Sequence, residues 1–307
     1  MAGKKKVKAA PGTSPEKPTK MTAEKPLTSK EATDSALPLA RYTSILGTQC
    51  LLLLFTAFYL PRSTTALLGT DFIQNAQHTS LDRPQHPFLE PLTASPTLTL
   101  IWLCGGVAAI VFWWAGYMRV WAKSLSIETK EDVRDVRAGL YKGRSAAIRG
   151  AVTTTIVAIP AFYFSLVLFG APLTSHCVQT LLLSILLSSF VIYTPVYSLG
   201  VPSWSATTSP AMLDRLNYVR LFSEVSTRSH LDRALVYPVL GTLVGCWLGA
   251  IPLPLDWDRP WQAWPLVPAY TAILGHISGS VFSLGTSVVL TLAEYDKQQE
   301  HQKAKKD

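Results

Sequence analysis

The sequence predicts an all-α membrane protein, a bundle of six transmembrane helices with the N and C termini in the cytosol. Hydrophobic residues make up 48% of the 307 residues and charged residues only 16%, a balance that is unusual for a water-soluble domain. Six long runs contain no Asp, Glu, Lys or Arg, and the Lys and Arg residues gather in alternate segments between these runs. These observations favour six membrane spans over a globular fold.

The six apolar runs have the length that a transmembrane helix needs. A helix rises about 1.5 Å per residue, so about 20 residues cross a hydrocarbon core of about 30 Å. The predicted spans cover residues 42–60, 97–118, 150–170, 177–200, 234–253 and 267–292. Pro195 lies inside the fourth span and predicts a kink there, because proline lacks a backbone donor.

The distribution of positive charge predicts the orientation of the spans. Of the 28 Lys and Arg residues, 25 lie before the first span, in the second and fourth loops, or after the sixth span. Only 3 lie in the first, third and fifth loops. Loops rich in Lys and Arg stay in the cytosol. We therefore expect both termini to be cytosolic and the odd-numbered loops to lie on the opposite side.

Two basic tails flank the predicted membrane domain of residues 41–292. Residues 1–40 are rich in Lys, Pro, Thr and Ser, so they lack the apolar content of a folded core and are predicted to be a disordered cytosolic tail. Residues 293–307 form the second tail. Lys303 and Lys305 stand fifth and third from the C terminus, a pattern similar to the dilysine retrieval signal of endoplasmic reticulum membrane proteins. A solvated basic tail is the alternative interpretation.

Several classes of function are disfavoured. The basic residues are split between tails and loops rather than gathered on one face, so the sequence predicts no nucleic-acid partner. Each of the four cysteines falls inside an apolar run, which argues against a disulfide scaffold. His276 is the ionisable residue, apart from Cys and Tyr, that lies well inside a span. A neutral histidine bonded to a neighbouring helix is favoured over a proton relay there, and a coupled pump is not predicted.

The first loop carries a regular row of metal-ligating residue types. These residues recur at a spacing of four, which would align them on one face of a continuous helix; they are His78, Asp82, His86 and Glu90. Pro84 and Pro87 interrupt any such helix. We therefore expect a polar loop with no metal, and no cofactor in this chain.

Small residues form a regular row on each of the last two spans. Gly241, Gly245 and Gly249 recur every four residues on the fifth span, and Gly275 and Gly279 do so on the sixth. Such rows let the backbones of two helices approach closely. Packing inside the chain's own bundle and packing against a partner's helix are both consistent with this pattern.

A fourth-loop segment has the apolar spacing of a surface helix. Leu213, Leu216 and Val219 recur at helical intervals beside Arg215 and Arg220. A helix with one apolar face and basic residues is typical of segments that lie on a membrane surface.

The loop between the fifth and sixth spans is the most distinctive part of the chain. Residues 249–265 read Gly-Ala-Ile-Pro-Leu-Pro-Leu-Asp-Trp-Asp-Arg-Pro-Trp-Gln-Ala-Trp-Pro. Tryptophans suit the membrane–water interface, and this loop has three of them, Trp257, Trp261 and Trp264. Its charged residues, held by Pro260, are candidates for an ion pair or a helix cap; they are Asp256, Asp258 and Arg259. A docking surface, a contact with a phosphate headgroup and a purely structural turn all remain open for this loop.

This loop, together with Gly275 and Gly279 in the next span, closely resembles the C-terminal signature of the PIG-F family of glycosylphosphatidylinositol (GPI) anchor biosynthesis. The resemblance implies a multi-pass protein of the endoplasmic reticulum membrane. It also implies that the chain partners the catalytic subunits of ethanolamine phosphate transferases, which add phosphoethanolamine to mannoses of the anchor precursor. Family members have an aromatic residue at the position of His276.

The size of the loops favours an accessory role within that implied complex. The longest segment on the non-cytosolic side has about 36 residues, far fewer than the 100 or so residues of a typical catalytic domain. The sequence therefore predicts a stabilising subunit. Two alternatives remain: a membrane-embedded contributor to the transferase active site, and a protein that presents lipid substrates such as phosphatidylethanolamine or GPI precursors.

Overall fold

The computed structural model describes residues 39–63, 86–125, 143–202, 208–257 and 259–305. Within these ranges the chain is helical and contains no strand. Six of the helices are long and apolar enough to cross a membrane, which confirms the predicted all-α class and the predicted number of spans. The tail 1–38, most of the first loop and most of the second loop lie outside the described residues.

The six candidate spanning helices make up most of the described chain. Their bounds are α1, Leu39–Phe58; α2, Pro96–Leu125; α3, Arg144–Leu168; α4, Cys177–Leu199; α5, His230–Leu248; and α6, Leu266–Lys303. A shorter connecting helix, Ser209–Tyr218, lies between α4 and α5. Its predicted apolar side chains Leu213 and Leu216 are exposed, and so is Val219 in the π-helical turn that follows, Val219–Ser223.

The ends of the helices differ from the predicted spans more than their centres do. α6 continues to Lys303, well past the predicted end at residue 292, because helix geometry does not stop where hydropathy falls. α5 ends at Leu248 rather than near residue 253. Pro252 and Pro254 follow closely and cannot donate backbone hydrogen bonds to an extended helix.

The proline of α4 is accommodated by a local change of helix type. A single π-helical turn, Ser189–Tyr193, comes directly before the segment that contains Pro195. π-helical turns of this kind occur as short bulges inside α-helices. Phe190 of this turn lies in the core.

Two apolar clusters fill the bundle. The larger one includes Leu53, Leu100, Leu186 and Phe190, and the second includes Tyr42, Trp114, Met118 and Leu235. We call the end of the bundle with Trp257, Trp261 and Trp264 the tryptophan end. The opposite end, with Arg119, Arg220 and Arg233, is the arginine end.

Candidate functional site

The loop at the tryptophan end, residues 249–265, is organised by Gln262. Its amide Nε2 donates hydrogen bonds to the carbonyl oxygens of Pro252, at 2.9 Å, and Leu255, at 2.7 Å. Its Oε1 accepts one from the backbone N–H of Arg259 at 2.9 Å. One side chain therefore ties together three points of the loop. The sequence analysis named the charged residues and missed Gln262, because a glutamine has no distinctive spacing signal.

The three tryptophans of this loop have different surroundings. The rings of Trp257 and Trp261 meet edge to face, with centroids 5.6 Å apart, and Trp257 is 50% exposed. Trp264 instead points back to the bundle, where its Nε1 donates to Thr180 Oγ1 of α4 at 2.9 Å. Exposed Trp257 and half-buried Trp261 thus form an aromatic pair, while Trp264 fastens the loop to the core.

The charged residues of the loop are less involved in holding it together. Asp256 is exposed, and the part of the chain that the structure describes shows no ion pair between Asp256 and Arg259. Pro260 begins a short 3-10 turn, Pro260–Gln262, which is closed by the Gln262 N–H donating to Arg259 O at 2.9 Å. Asp258 lies outside the described residues, and so does any pairing or cap that it makes.

The loop stands on a hairpin in which α5 and α6 touch backbone to backbone. A Cβ atom placed on Gly241 would overlap the carbonyl oxygen of Gly275, and one on Gly245 would overlap that of Thr271. A Cβ on Gly279 would overlap the carbonyl oxygen of Tyr237 in the same way. The glycine rows of the two helices therefore face each other. Gly249 continues the row to the start of the loop, against Thr271 and Pro268.

His276, buried at 4% exposure, links this hairpin to the rest of the bundle. Gln49 Nε2 of α1 lies 3.3 Å from His276 Nε2, and Thr242 Oγ1 of α5 lies 3.0 Å from His276 Nδ1. The Thr242 hydroxyl donates its single hydrogen to Pro238 O at 2.7 Å. His276 must therefore carry its hydrogen on Nδ1, donate to Thr242 and accept from Gln49. The hydrogen bonds to neighbouring helices that the sequence analysis favoured are present.

The hairpin is also fixed at the arginine end by Asp232, in the first turn of α5. Its carboxylate accepts from Arg220 Nη1 at 2.9 Å, and from the backbone N–H groups of Arg228 and Ser229, both at 3.1 Å. Ser229 Oγ accepts from the Asp232 N–H at 3.0 Å. This capping box was readable in the sequence as Ser-x-x-Asp but was missed.

Tyr218 ties the connecting helix to the same end of the bundle. Its hydroxyl donates to the carbonyl oxygen of Gly200, at 2.6 Å. Burial, with a smaller contribution from the charge of Asp214, raises the pKa of Tyr218 above its ordinary value. The hydroxyl therefore stays protonated at neutral pH and remains a donor.

The remaining predicted site residues lie apart from this assembly. His86 and Glu90 are exposed, His78 and Asp82 lie outside the described residues, and the described residues hold no group of three or more potential metal ligands. Lys303 is the last residue of α6, and Lys305 follows it; both are exposed at the arginine end.

Comparison with known proteins places these features in one family. The profile of the GPI biosynthesis protein family Pig-F matches residues 85–284, which include the glycine hairpin, His276 and the loop. No solved structure matches the chain.

Three curated relatives illustrate the similarity. The human "GPI ethanolamine phosphate transferase, stabilizing subunit" is 35% identical over 123 residues, which are 40% of this chain and 51% of the relative. "Glycosylphosphatidylinositol anchor biosynthesis protein 11" of Aspergillus fumigatus is 35% identical over 47% of this chain and 43% of its own length. The protein of that name from Candida albicans is 35% identical over 45% and 48%. The chain spans about half the length of the curated relatives it matches.

Proposed function

The chain belongs to the GPI biosynthesis protein family Pig-F, and we propose that it is a stabilising, non-catalytic subunit of an ethanolamine phosphate transferase in the endoplasmic reticulum membrane. The partner subunit adds phosphoethanolamine to mannoses of the GPI anchor precursor. This chain holds that partner in an assembled and stable form. Its similarity to a human protein named as the stabilising subunit supports this role.

The observation that carries the proposal is an aromatic pair, exposed Trp257 and half-buried Trp261, held on a hydrogen-bonded loop. The glycine hairpin, the three hydrogen bonds of Gln262 and the Trp264–Thr180 hydrogen bond fix the loop. Trp257 and Trp261 pack edge to face on this fixed base. Tryptophan is among the residues that dominate protein interfaces, and a preorganised loop loses little conformational entropy on binding. The loop is therefore suited to dock a partner subunit.

In this proposal the tryptophan end lies in the lumen and both termini lie in the cytosol. The excess of Lys and Arg in the segments at the arginine end supports this orientation. N-glycosylation acceptor sites inserted near residue 85 should be modified, and sites inserted near residue 130 should not. Modification near residue 130 would overturn the orientation without affecting the docking proposal.

The basic end of the chain fits retrieval to the endoplasmic reticulum. Lys303 and Lys305 are exposed in the segment that this orientation places in the cytosol, where retrieval signals are read. In cells that lack the transferase partner, replacing both lysines by serine should let part of the protein leave the endoplasmic reticulum. Unchanged localisation in those cells would remove the retrieval role.

Affinity purification in mild detergent tests the docking role directly. The double variant Trp257→Ala, Trp261→Ala should reduce the transferase recovered per molecule of this chain about tenfold or more, as expected for truncation of interface tryptophans. Trp113→Ala is the matched control, because Trp113 is also exposed, at 42%, but lies on α2. Equal transferase recovery with the unmodified chain, the double variant and Trp113→Ala would contradict docking through the aromatic pair.

Turnover per intact complex separates stabilisation from catalysis. The complexes that the double variant still forms should transfer phosphoethanolamine at the rate of the unmodified complex, since we assign the reacting groups to the partner. Normal assembly with abolished turnover would instead place the loop in the active site. Transfer by this chain alone would also contradict the accessory role.

A further inference from the structure

A group of cationic and phenolic side chains lies at the arginine end, away from the loop. It consists of Arg119 from the end of α2, Arg144 from the start of α3, and Tyr193 and Tyr197 from α4. We call it the arginine–tyrosine cluster. The docking role of the tryptophan end makes no use of these residues.

Arg119 is held in place but not fully satisfied. Its Nη1 donates to the carbonyl oxygen of Tyr197 at 2.8 Å, and its guanidinium lies over the Tyr197 ring at 5.1 Å. Its Nε is buried and has no hydrogen-bond partner among the described residues. A guanidinium keeps its charge in proteins, and a buried donor without an acceptor is costly. An acceptor of negative charge would satisfy this nitrogen.

Tyr193 presents a second unsatisfied group. Its side chain is 7% exposed, and its hydroxyl oxygen is buried without a hydrogen-bond partner in the described ranges. Its ring stacks on that of Tyr197, with centroids 5.9 Å apart. Arg144 is the exposed first residue of α3, the helix that packs against this part of α4. Neither arginine forms an ion pair with a described carboxylate.

The two arginines of the cluster lie at the depth of lipid headgroups, and Tyr193 lies deeper, against Phe112. Arg119 directly follows the uncharged run of α2, and Arg144 lies six residues before the uncharged run of α3 begins at Gly150. Both arginines therefore lie on the polar side of the hydrocarbon boundary. Phe112 lies two helical turns deeper along α2, about 10 Å away along the helix axis. It is 45% exposed, and its ring meets that of Tyr193 at 6.2 Å. Apolar surface therefore extends from the cluster into the membrane.

We propose that the arginine–tyrosine cluster binds the phosphate group of a membrane phospholipid. Arg119 and Arg144 supply the positive charge, and the Arg119 Nε–H and the Tyr193 hydroxyl donate hydrogen bonds to phosphate oxygens. The acyl chains extend along the apolar surface at Phe112. The occupant is a lipid rather than free phosphate, because the donors and this lipid-facing surface adjoin each other at the membrane boundary.

Native mass spectrometry of the full chain in mild detergent tests the site with defined probes. Dioctanoyl phosphatidic acid should bind, whereas dioctanoylglycerol, which has the same acyl chains and no phosphate, should not. The double variant Arg119→Gln, Arg144→Gln should bind the phospholipid at least tenfold more weakly, because charge-assisted hydrogen bonds are lost. Arg149→Gln is the matched control, since Arg149 is an exposed arginine of α3 outside the cluster.

A second variant distinguishes loss of the lipid site from misfolding of the protein. Tyr193→Phe keeps the stacked ring and removes only the hydroxyl, so it should weaken lipid binding severalfold while the protein keeps its yield and thermal stability. Unchanged binding by both variants would overturn the site. Equally tight binding of inorganic phosphate would show that the cluster takes a free anion, and equal binding of dioctanoylglycerol would show that the phosphate is not recognised. Either result would overturn the proposal.

Discussion

The α5–α6 hairpin and helix α3 are both membrane-spanning by composition, yet they are held in the protein very differently. Buried residues make up 56% of the most apolar stretch of α5 and 28% of that of α6, but only 11% of that of α3. In α5 and α6 the glycine rows bring backbone against backbone. In α3 Ala151 is the buried residue, and Ile156, Val157, Phe164 and Leu168 are exposed.

The difference shows which residues determine where a helix packs in the bundle and which determine only that it enters the membrane. Apolar side chains place a helix in the bilayer but give no preference for a neighbouring helix over lipid, because both are equally apolar. Glycines, buried polar groups and caps do give such a preference, since each needs a particular partner. The hairpin has all three, and the described part of α3 has mainly apolar side chains facing outward.

The largest expected effect comes from breaking the hairpin. Gly245→Leu or Gly279→Leu would drive a side chain into the backbone of the facing helix, at Thr271 or Tyr237. We expect destabilisation of about 3 kcal/mol or more, because backbone cannot move aside as a flexible side chain can. Protein level in cells and thermal unfolding in mild detergent measure it.

Gly105→Leu on α2 is the matched control for this prediction. Gly105 is exposed, and no atom lies within 4 Å of a Cβ placed there. This variant should keep the unmodified protein level and unfolding temperature. Similar losses for Gly105→Leu and Gly245→Leu would mean that added bulk, rather than the helix contact, causes the effect.

The second prediction tests the polar junction that joins the hairpin to α1. His276→Phe retains an aromatic ring against Phe190 but removes the acceptor for Gln49 Nε2. Leaving a buried amide unpaired should destabilise the chain by about 1–3 kcal/mol. Adding Gln49→Leu to His276→Phe should recover most of that loss, because both polar groups are then gone. A double variant no more stable than His276→Phe would show that the pair is not coupled.

This junction also marks the limit of what the sequence predicts. The number of spans follows from hydropathy, and the family follows from the motif around Trp257 and Trp264. The spacing of the glycines indicates a close neighbour but does not say which helix supplies it. Gln49 and His276 are 227 residues apart, and no local pattern relates two positions that meet only after the bundle packs. Gln262 was missed for a different reason: its partners lie within the same loop, but a glutamine has no distinctive spacing signal.

A smaller effect is expected at the start of the hairpin. Ser229→Ala removes the acceptor for the Asp232 N–H while leaving the Arg220–Asp232 ion pair. Loss of a helix cap typically costs about 1 kcal/mol. Ser226→Ala is a suitable control, because the bond of Ser226 to Arg220 uses its backbone carbonyl, which alanine retains. If Ser229→Ala lowered the stability of the protein as much as Gly245→Leu does, the expected order of the two effects would be wrong.

The smallest effect is expected on the outer face of α3. Val157 and Phe164 are 74% and 63% exposed. Val157→Ala and Phe164→Ala therefore remove atoms that face lipid or detergent, and they leave no internal cavity. Each should change the free energy of unfolding by no more than about 0.5 kcal/mol.

Leu103→Ala on α2 provides the contrast, because Leu103 is fully buried and its truncation should cost about 2–5 kcal/mol. Thermal unfolding of the chain alone measures both. Comparable losses at Phe164 and Leu103 would show that α3 packs inside the bundle, and the contrast between α3 and the hairpin would then fail.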